Sequence, residues 1–464
     1  MMKHSTMLLF AAALFAAGRS AGFELVERIY PADTKLKELR FVAKSDWAKE
    51  NLKKVVVGYV RDDMRYMNDP KDDVHDDNND YEKLPFRVED GAIVVPGVIL
   101  RGEFRHTFVI DLPEAKGRKR HCVLPVISLA PDLFALRPFK GSIHQHSKIS
   151  DGAGTPAQHI QYARTAGFDF VAVTDHGKYE QNPMAAAFAA ETGCGIAVYP
   201  GEEMHSPGAA LHSLCLGAPG RMSRKRTPEF AKDIAPKLAE LKKRFPGTAT
   251  EELRCTAEAL WVVDNARKHG AKLIVYCHPQ WVRANRLHAL PTFNRIMLRE
   301  APFDAIEAVN GSVGKIGHRN AVNLAELYEM AAETGKVRPL TYGSDSHDPA
   351  KQWFYKRGFN LIFAPDASVD SFAEAVKTFH SVGAYSDHKE GPTIFFGPKR
   401  MVWYACFLRD IGFFVNHDKL AAKQAALLKK YIAGDKSVKQ DIVTLAKEIP
   451  ASAEVFFHHP APKQ

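Results

Sequence analysis

Six short stretches carry imidazoles and carboxylates in a recurring order: His144-Gln145-His146, Ser150-Asp151-Gly152, Thr174-Asp175-His176, Gly201-Glu202-Glu203, His278-Pro279 and Gly343-Ser344-Asp345-Ser346-His347. They stand at the ends of apolar runs, where a polar side chain must find a partner or be desolvated at a cost. Convergence on a cluster of divalent ions removes that cost. Mixed imidazole and carboxylate donors suit zinc, manganese or iron better than calcium or magnesium, which favour oxygen ligands. In the His144-Gln145-His146 pair, strand geometry points both rings to one side, where they share a partner.

The elements that must position these residues alternate between helix and strand. Thr155 as N-cap and Pro156 in the first turn start a helix with Ala157, Ile160 and Ala163 on one face, and Gly167 ends it. The strand Phe168 to Val173 then delivers Asp175 and His176. A helix from Ala257 to His269 stops at Gly270, and the strand Lys272 to Tyr276 leads to His278. A helix from Ala321 to Thr334, Gly335 and a strand from Arg338 to Tyr342 lead to Asp345 and His347. Functional residues at successive strand ends are what a closed parallel barrel with outer helices produces.

Around this region the texture changes. Residues 23–138 read as a β-rich domain, with strand-like runs at Lys54 to Val60, Ala92 to Leu100, Thr107 to Leu112 and Cys122 to Leu129. Residues 139–396 form the α/β region, and 397–464 a helical tail with helices at Leu420 to Ala433 and Lys439 to Lys447. The acidic stretch Asp69 to Asp80 lacks the glycine and closing glutamate of a calcium loop and reads as solvated surface.

The stretch Gly141 to Gly152, GSIHQHSKISDG, followed by TPAQHIQYARTAGFDFVAVTDH and later by YCHP and YGSDSH, resembles the polymerase-and-histidinol-phosphatase (PHP) superfamily of metal-dependent phosphoesterases. The resemblance covers roughly Pro138 to Ser386. PGEE followed by LHSLCLG, and the stretch Asn360 to Tyr385, resemble the branch containing nucleotide phosphatases and carbaryl-hydrolase-like proteins. The resemblance implies a distorted (β/α)7 barrel holding two to three divalent ions. One ion would be held by His144, His146, Glu203 and Asp345, a second by Glu203 as a bridge with His212 and His278, and a third by Asp151, His176 and His347. The family spacing of glycine, any residue, glutamate selects Glu203 and leaves Glu202 to point outward; His205 is the rival of His212. Asp175 is expected to orient a ligand rather than bind metal. Ser142 stands where relatives commonly have aspartate before the histidine pair. Trp353 to Arg357 read either as a substrate loop or as a solvent-facing insertion.

Open coordination positions on such a cluster imply a metal-activated hydroxide attacking a phosphate ester, without a protein nucleophile. Lys148, Lys178 and Arg283 lie beside the metal motifs as candidate phosphate clamps, and His205 or Asp348 are candidate proton donors to the leaving group. The competing enzyme reading is hydrolysis of carboxylic esters, amides or carbamates by the same hydroxide. A non-catalytic metal-binding module is the reading from another class.

The chain has 464 residues, 45% hydrophobic and 25% charged, within the range of ordinary globular proteins. Its formal net charge of +9 is scattered, without the dense basic blocks of a nucleic-acid surface, and favours small anionic substrates. Residues 1–22 have the basic start, apolar run from Met7 to Ala17 and small residues of a signal peptide, which predicts export to a periplasm or the exterior. No later stretch reads as a transmembrane anchor. The six cysteines are far apart in apolar contexts and are expected to be mostly buried thiols.

Overall fold

A computed structural model of the chain describes residues 22–60, 81–112, 120–207, 211–283, 286–287, 290–311, 316–351, 358–386 and 394–458. The expected signal peptide, the acidic stretch 69–80 and the segment 353–357 lie outside these. The chain divides into two compact units, one of residues 1–136, 406–416 and 450–464, the other of residues 137–405 and 417–449. Among the described residues no helix is long and apolar enough to cross a membrane.

The first unit is β-rich. One sheet pairs Phe23–Glu24, Glu38–Ala43, Ala92–Pro96 and Arg87–Glu89 in that order, and another pairs Ile29–Pro31, Arg120–Leu129, Phe104–Leu112, Val56–Val60 and Glu82–Lys83. Along Glu38–Ala43 every second side chain is buried, as the two-residue period of a one-sided strand requires. Phe41, Val57, Ile93, Phe108 and Leu124 meet in one core.

The second unit carries all six motifs on two mixed sheets. The first contains β1 (Arg137–Ser142), β2 (Phe170–Ala172), β3 (Ala197–Tyr199), β9 (Gly358–Ala364), β10 (Ser381–Tyr385) and β11 (Ile394–Phe396), in the order β3-β2-β1-β9-β10-β11. The second runs β4 (Gly201–His205), β5 (His212–Leu216), β6 (Leu273–Tyr276), β7 (Ala305–Asn310), β8 (Leu340–Gly343). Two isolated parallel bridges, His176↔Glu203 and Gln145↔Ser346, join the sheets, and each bridge involves or adjoins a motif histidine or carboxylate.

The all-parallel arrangement expected from the strand ends is not what forms. β4, β5 and β6 pair antiparallel, as do β1 with β9 and β9 with β10. Residues 206–211 are too few for the crossover that a parallel return needs, so β4 and β5 make a hairpin. That hairpin brings the start of β5 to the working edge, with His212 opposite His205.

Local signals explain several boundaries. The Thr155 hydroxyl accepts from Gln158 N while the Gln158 side chain accepts from Thr155 N, a reciprocal cap on the helix Pro156–Thr165. The helix expected to begin at Ala257 extends back to Thr250, and the next starts at Ile316 rather than Ala321. The helices Pro228–Arg244 and Pro291–Arg299 and the strand β7 were not read from the sequence at all. β7 is buried at every position, so it shows no alternation. The described residues beyond 397 are largely helical, with Lys399–Asp410, Phe414–Ile432 and Lys439–Glu454 as their α-helices.

At the end of β2 remote from the motifs, Asp169 accepts from Lys140 N at 3.1 Å and lies 2.7 Å from His417 Nε2, which is 4% exposed. Removing one member of a largely buried charged pair strands the other. His417→Ala is expected to destabilise the protein by roughly 3 kcal/mol, read as a lower Tm, while leaving metal affinity unchanged because the motifs occupy the opposite strand ends.

Candidate metal centre

Glu203 is fully buried and stands at the middle of the site. Its Oε2 lies 3.1 Å from His144 Nε2, His146 Nε2 and His176 Nδ1. Its Oε1 lies 2.6 Å from His212 Nδ1 and 3.2 Å from His278 Nε2. Asp345 Oδ1 is 3.1 Å from His146 Nε2 and 3.5 Å from His144 Nε2. On the outer side, Asp151 Oδ2 is 3.6 Å from His176 Nε2 and 3.5 Å from His347 Nε2. The nine residues singled out as candidate ligands thus converge on one region, from strands far apart in the chain.

These spacings fit metal coordination. With bonds of about 2.1 Å, neighbouring donors are about 3.0 Å apart in an octahedron and about 3.4 Å apart in a tetrahedron. The donor atoms of His144, His146, Glu203 and Asp345 lie within 4.8 Å of one another, as do those of His146, Asp151, His176 and His347. A third grouping holds His176, Glu203, His205 and His212. Both rivals therefore reach the site: His212 contacts Glu203 directly, and His205 Nε2 lies 2.9 Å from His176 Nδ1. Exposure rises outward, from 0% for the Glu203 side chain to 22% for His176, 37% for His347 and 56% for Asp151, so solvent enters past the last group.

The residues behind the donors fix their direction. Glu307, in β7, lies with Oε1 2.8 Å from His144 Nδ1 and accepts the His278 backbone N–H on Oε2 at 2.9 Å. Asn310 Nδ2 donates to the same Oε2 at 2.8 Å. A proton on His144 Nδ1, held by Glu307, leaves Nε2 free to face the cluster. Gly343 makes room for this carboxylate, since an added Cβ would overlap Glu307 Oε1. Sequence reading missed Glu307; its one signal was a lone carboxylate inside an apolar run, which demands a buried partner. His278 and Asp345 adopt φ of 25° and 49°, left-handed values that non-glycine residues seldom take and that often mark functional positions.

Other expected residues fall differently. Asp175 accepts from Ser147 N at 2.7 Å and from the Ser147 and Ser150 hydroxyls at 2.6 Å, bracing the loop that follows His146 rather than orienting a ring. Glu202 does not point outward. It is buried and accepts from the backbone N–H groups of Met222 and Ser223 and from the Ser223 hydroxyl. The Ser142 hydroxyl is 3.2 Å from that of Ser344. Lys148 and Lys178 are exposed, while the Arg283 side chain lies outside the described residues. Asp348 accepts from Ala350 N at 3.0 Å and lies 3.6 Å from Lys351 Nζ.

The electrostatics divide the histidines in two. Burial opposes charging His146, but the Asp345 and Glu203 carboxylates outweigh it and raise its pKa to about 9. Burial likewise opposes charge on His144 and His278, yet neighbouring carboxylates, Glu307 foremost for His144 and Glu203 for His278, raise both. Burial works against the Glu203 carboxylate too, but His212, His144 and His176 hold it well below the usual carboxylate range. For His176 and His205 burial dominates and pushes the pKa down to about 4 and about 3.

No protein-family model and no curated protein matches the chain. Solved structures similar to it include a two-domain protein with an assigned PHP-like metal-dependent phosphoesterase from Bacteroides vulgatus, at 19% identity and TM-score 0.39, covering 55% of this chain and 67% of that one. A protein assigned as a metal-dependent phosphoesterase from Bifidobacterium adolescentis is 17% identical, with TM-score 0.31 over 50% of this chain and 94% of that one. An amidohydrolase from Chromobacterium violaceum, with bound sulfate and no metal, is 20% identical, with TM-score 0.28 over 46% of this chain and 88% of that one.

Because the inner histidines hold protons that a metal ion must displace, metal binding should release protons, and affinity should rise from neutral pH towards about 9. Calorimetry in buffers of different ionisation enthalpy measures the release; a pH-independent affinity would contradict it. Glu307→Gln, which keeps the shape and removes the charge, is expected to weaken metal binding about 10- to 100-fold with the fold intact by circular dichroism.

Proposed function

We propose that this chain is a metal-dependent hydrolase of the PHP type, acting on phosphate esters. The observation that carries the reading is the division of Glu203 between two donor sets, one oxygen towards His144, His146 and His176 and the other towards His212 and His278. A carboxylate so placed suits a bridge between adjacent ions. His144, His146, Glu203 and Asp345 would hold one ion, Glu203, His212 and His278 a second, and Asp151, His176 and His347 a third. The two bridged sheets would then be the distorted barrel, and residues 1–22 its export signal. Manganese, zinc or iron suits the mixed donors.

Bound there, divalent ions supply a hydroxide at neutral pH and neutralise charge developing on a phosphoryl group. The chain's own residues do the rest. Glu307 and Asn310 hold His144 and the His278 backbone in place, Asp175 fixes the loop beside His146, and the partly exposed Asp151, His176 and His347 frame the entrance. Lys178, exposed beside His176, is placed to draw an anion towards it.

The test is metal analysis of the purified protein with an assay against p-nitrophenyl phosphate, a phosphodiester and an aryl carboxylic ester. Stoichiometric metal and cleavage of a phosphate ester are expected; cleavage of the carboxylic ester alone would replace the phosphatase reading with its competitor. His144→Ala should lower both metal content and rate, and unchanged occupancy and rate would remove that histidine from the ligand set.

A further inference from the structure

The helix Phe414–Ile432 has two unlike faces. On its inner side Ala421, Gln424, Leu428 and Tyr431 are buried, and Leu428 and Tyr431 share a core with Ile160, Phe168 and Ile442. Gln424 Nε2 donates to Ile442 O at 2.8 Å, and the Tyr431 hydroxyl donates to Glu191 at 2.6 Å. The helix is thereby fixed in place with its other face exposed.

That outer face is cationic. Lys419, Lys423 and Lys430 stand at i, i+4 and i+11, with Ala426 at i+7, and all four are exposed. This spacing puts them on one side of the helix over about 16 Å. Lys429 and Ala422, also exposed, flank the row. The single acid of the helix, Asp418, is engaged by Lys140 Nζ at 2.7 Å and His417 Nδ1 at 3.0 Å. Neighbouring acids are engaged as well: Glu191 accepts from Tyr431 and Lys436, and Asp435 accepts from the Ser437 N–H and hydroxyl. Among the described residues, Lys423, Lys429 and Lys430 form no ion pair.

Like charges four residues apart on a helix repel, so this row is relieved only by negative charge from outside. The chemistry of lysine says which kind. An ammonium group is a compact, hydrated point charge that answers a diffuse negative potential, whereas a discrete phosphate is gripped by guanidinium forks. The exposed face carries neither an arginine nor an aromatic ring on which a base could stack, so a nucleic acid matches it poorly. Alanines between the lysines leave the face flat, and a flat row of ammonium groups is complementary to a planar array of anionic headgroups.

We propose that this face is a docking surface for an anionic lipid bilayer, held by Lys419, Lys423, Lys429 and Lys430. The proposal goes beyond the hydrolase reading and does not depend on it. Attachment is peripheral and reversible. Each lysine close to such a surface strengthens binding about fivefold, three together about 100-fold, and salt weakens the effect.

The test is co-sedimentation of the full chain with vesicles of phosphatidylcholine alone or with about 30% phosphatidylglycerol, at about 0.05 M and about 0.3 M NaCl. Binding to the anionic vesicles is expected to exceed that to phosphatidylcholine and to fall at least about tenfold at the higher salt. Lys419→Gln with Lys423→Gln and Lys430→Gln should weaken it about 100-fold, and arginine at the same three positions should restore it. Lys232→Gln with Lys242→Gln and Lys243→Gln, on the exposed side of the helix Pro228–Arg244, removes the same net charge and should cost under about threefold. Equal losses in the two triple variants would assign the binding to net charge and overturn the docking face. Binding that ignores phosphatidylglycerol, or that survives the first triple variant, would overturn it too. Tighter binding to duplex DNA than to the vesicles, lost in the first triple variant, would replace the bilayer with a nucleic acid.

Discussion

The buried carboxylate of Glu203 is the constraint on which the rest depends. A fully buried negative charge is tolerated only where positive or coordinating groups surround it, and here His144, His146, His176, His212 and His278 all lie within 3.2 Å of its oxygens. Those rings come from both sheets and from the loops that leave them. The bridge His176↔Glu203 shows the same fact in the backbone, because the two sheets meet where the charge must be satisfied.

Satisfying that charge shapes the local backbone. His278 and Asp345 accept left-handed φ values, and each is held by hydrogen bonds: the Asp345 N–H donates to His144 O, and the His278 N–H to Glu307. Gly343 lets Glu307 pass close to β8. The support is layered: Asn310 holds Glu307, Glu307 holds His144, and His144 faces Glu203. Stability and function separate along the strands, with the Asp169 and His417 pair at one end of β2 and His176 beyond the other.

Glutamates of adjacent number divide the work. Alternation along β4 sends Glu203 into the donor cluster and Glu202 to the other side, where it pins the basic loop through Met222 and Ser223. One strand thus carries both the centre of the candidate metal site and the anchor of the loop beside it. Nothing in the sequence around Glu202 marks that link, because Glu202 and residues 222–223 meet only through the fold.

What the sequence by itself determined was local. The caps at Thr155 and Gly167, the alternation that puts His144 and His146 on one side, and the placing of Asp175, His176, His278, Asp345 and His347 just after strands all follow from short-range rules. Strand direction was less legible, since the hairpin of β4 and β5 depends on a short connection whose consequence the parallel expectation overlooked. Only the tertiary structure decided that His144 meets Glu307, 163 residues away, and that both His205 and His212 reach the site. A side chain's partner depends on which surfaces pack together over the whole chain, and a hydrogen bond exists only where packing brings donor and acceptor within about 3.5 Å, so spacing in sequence carries no record of it.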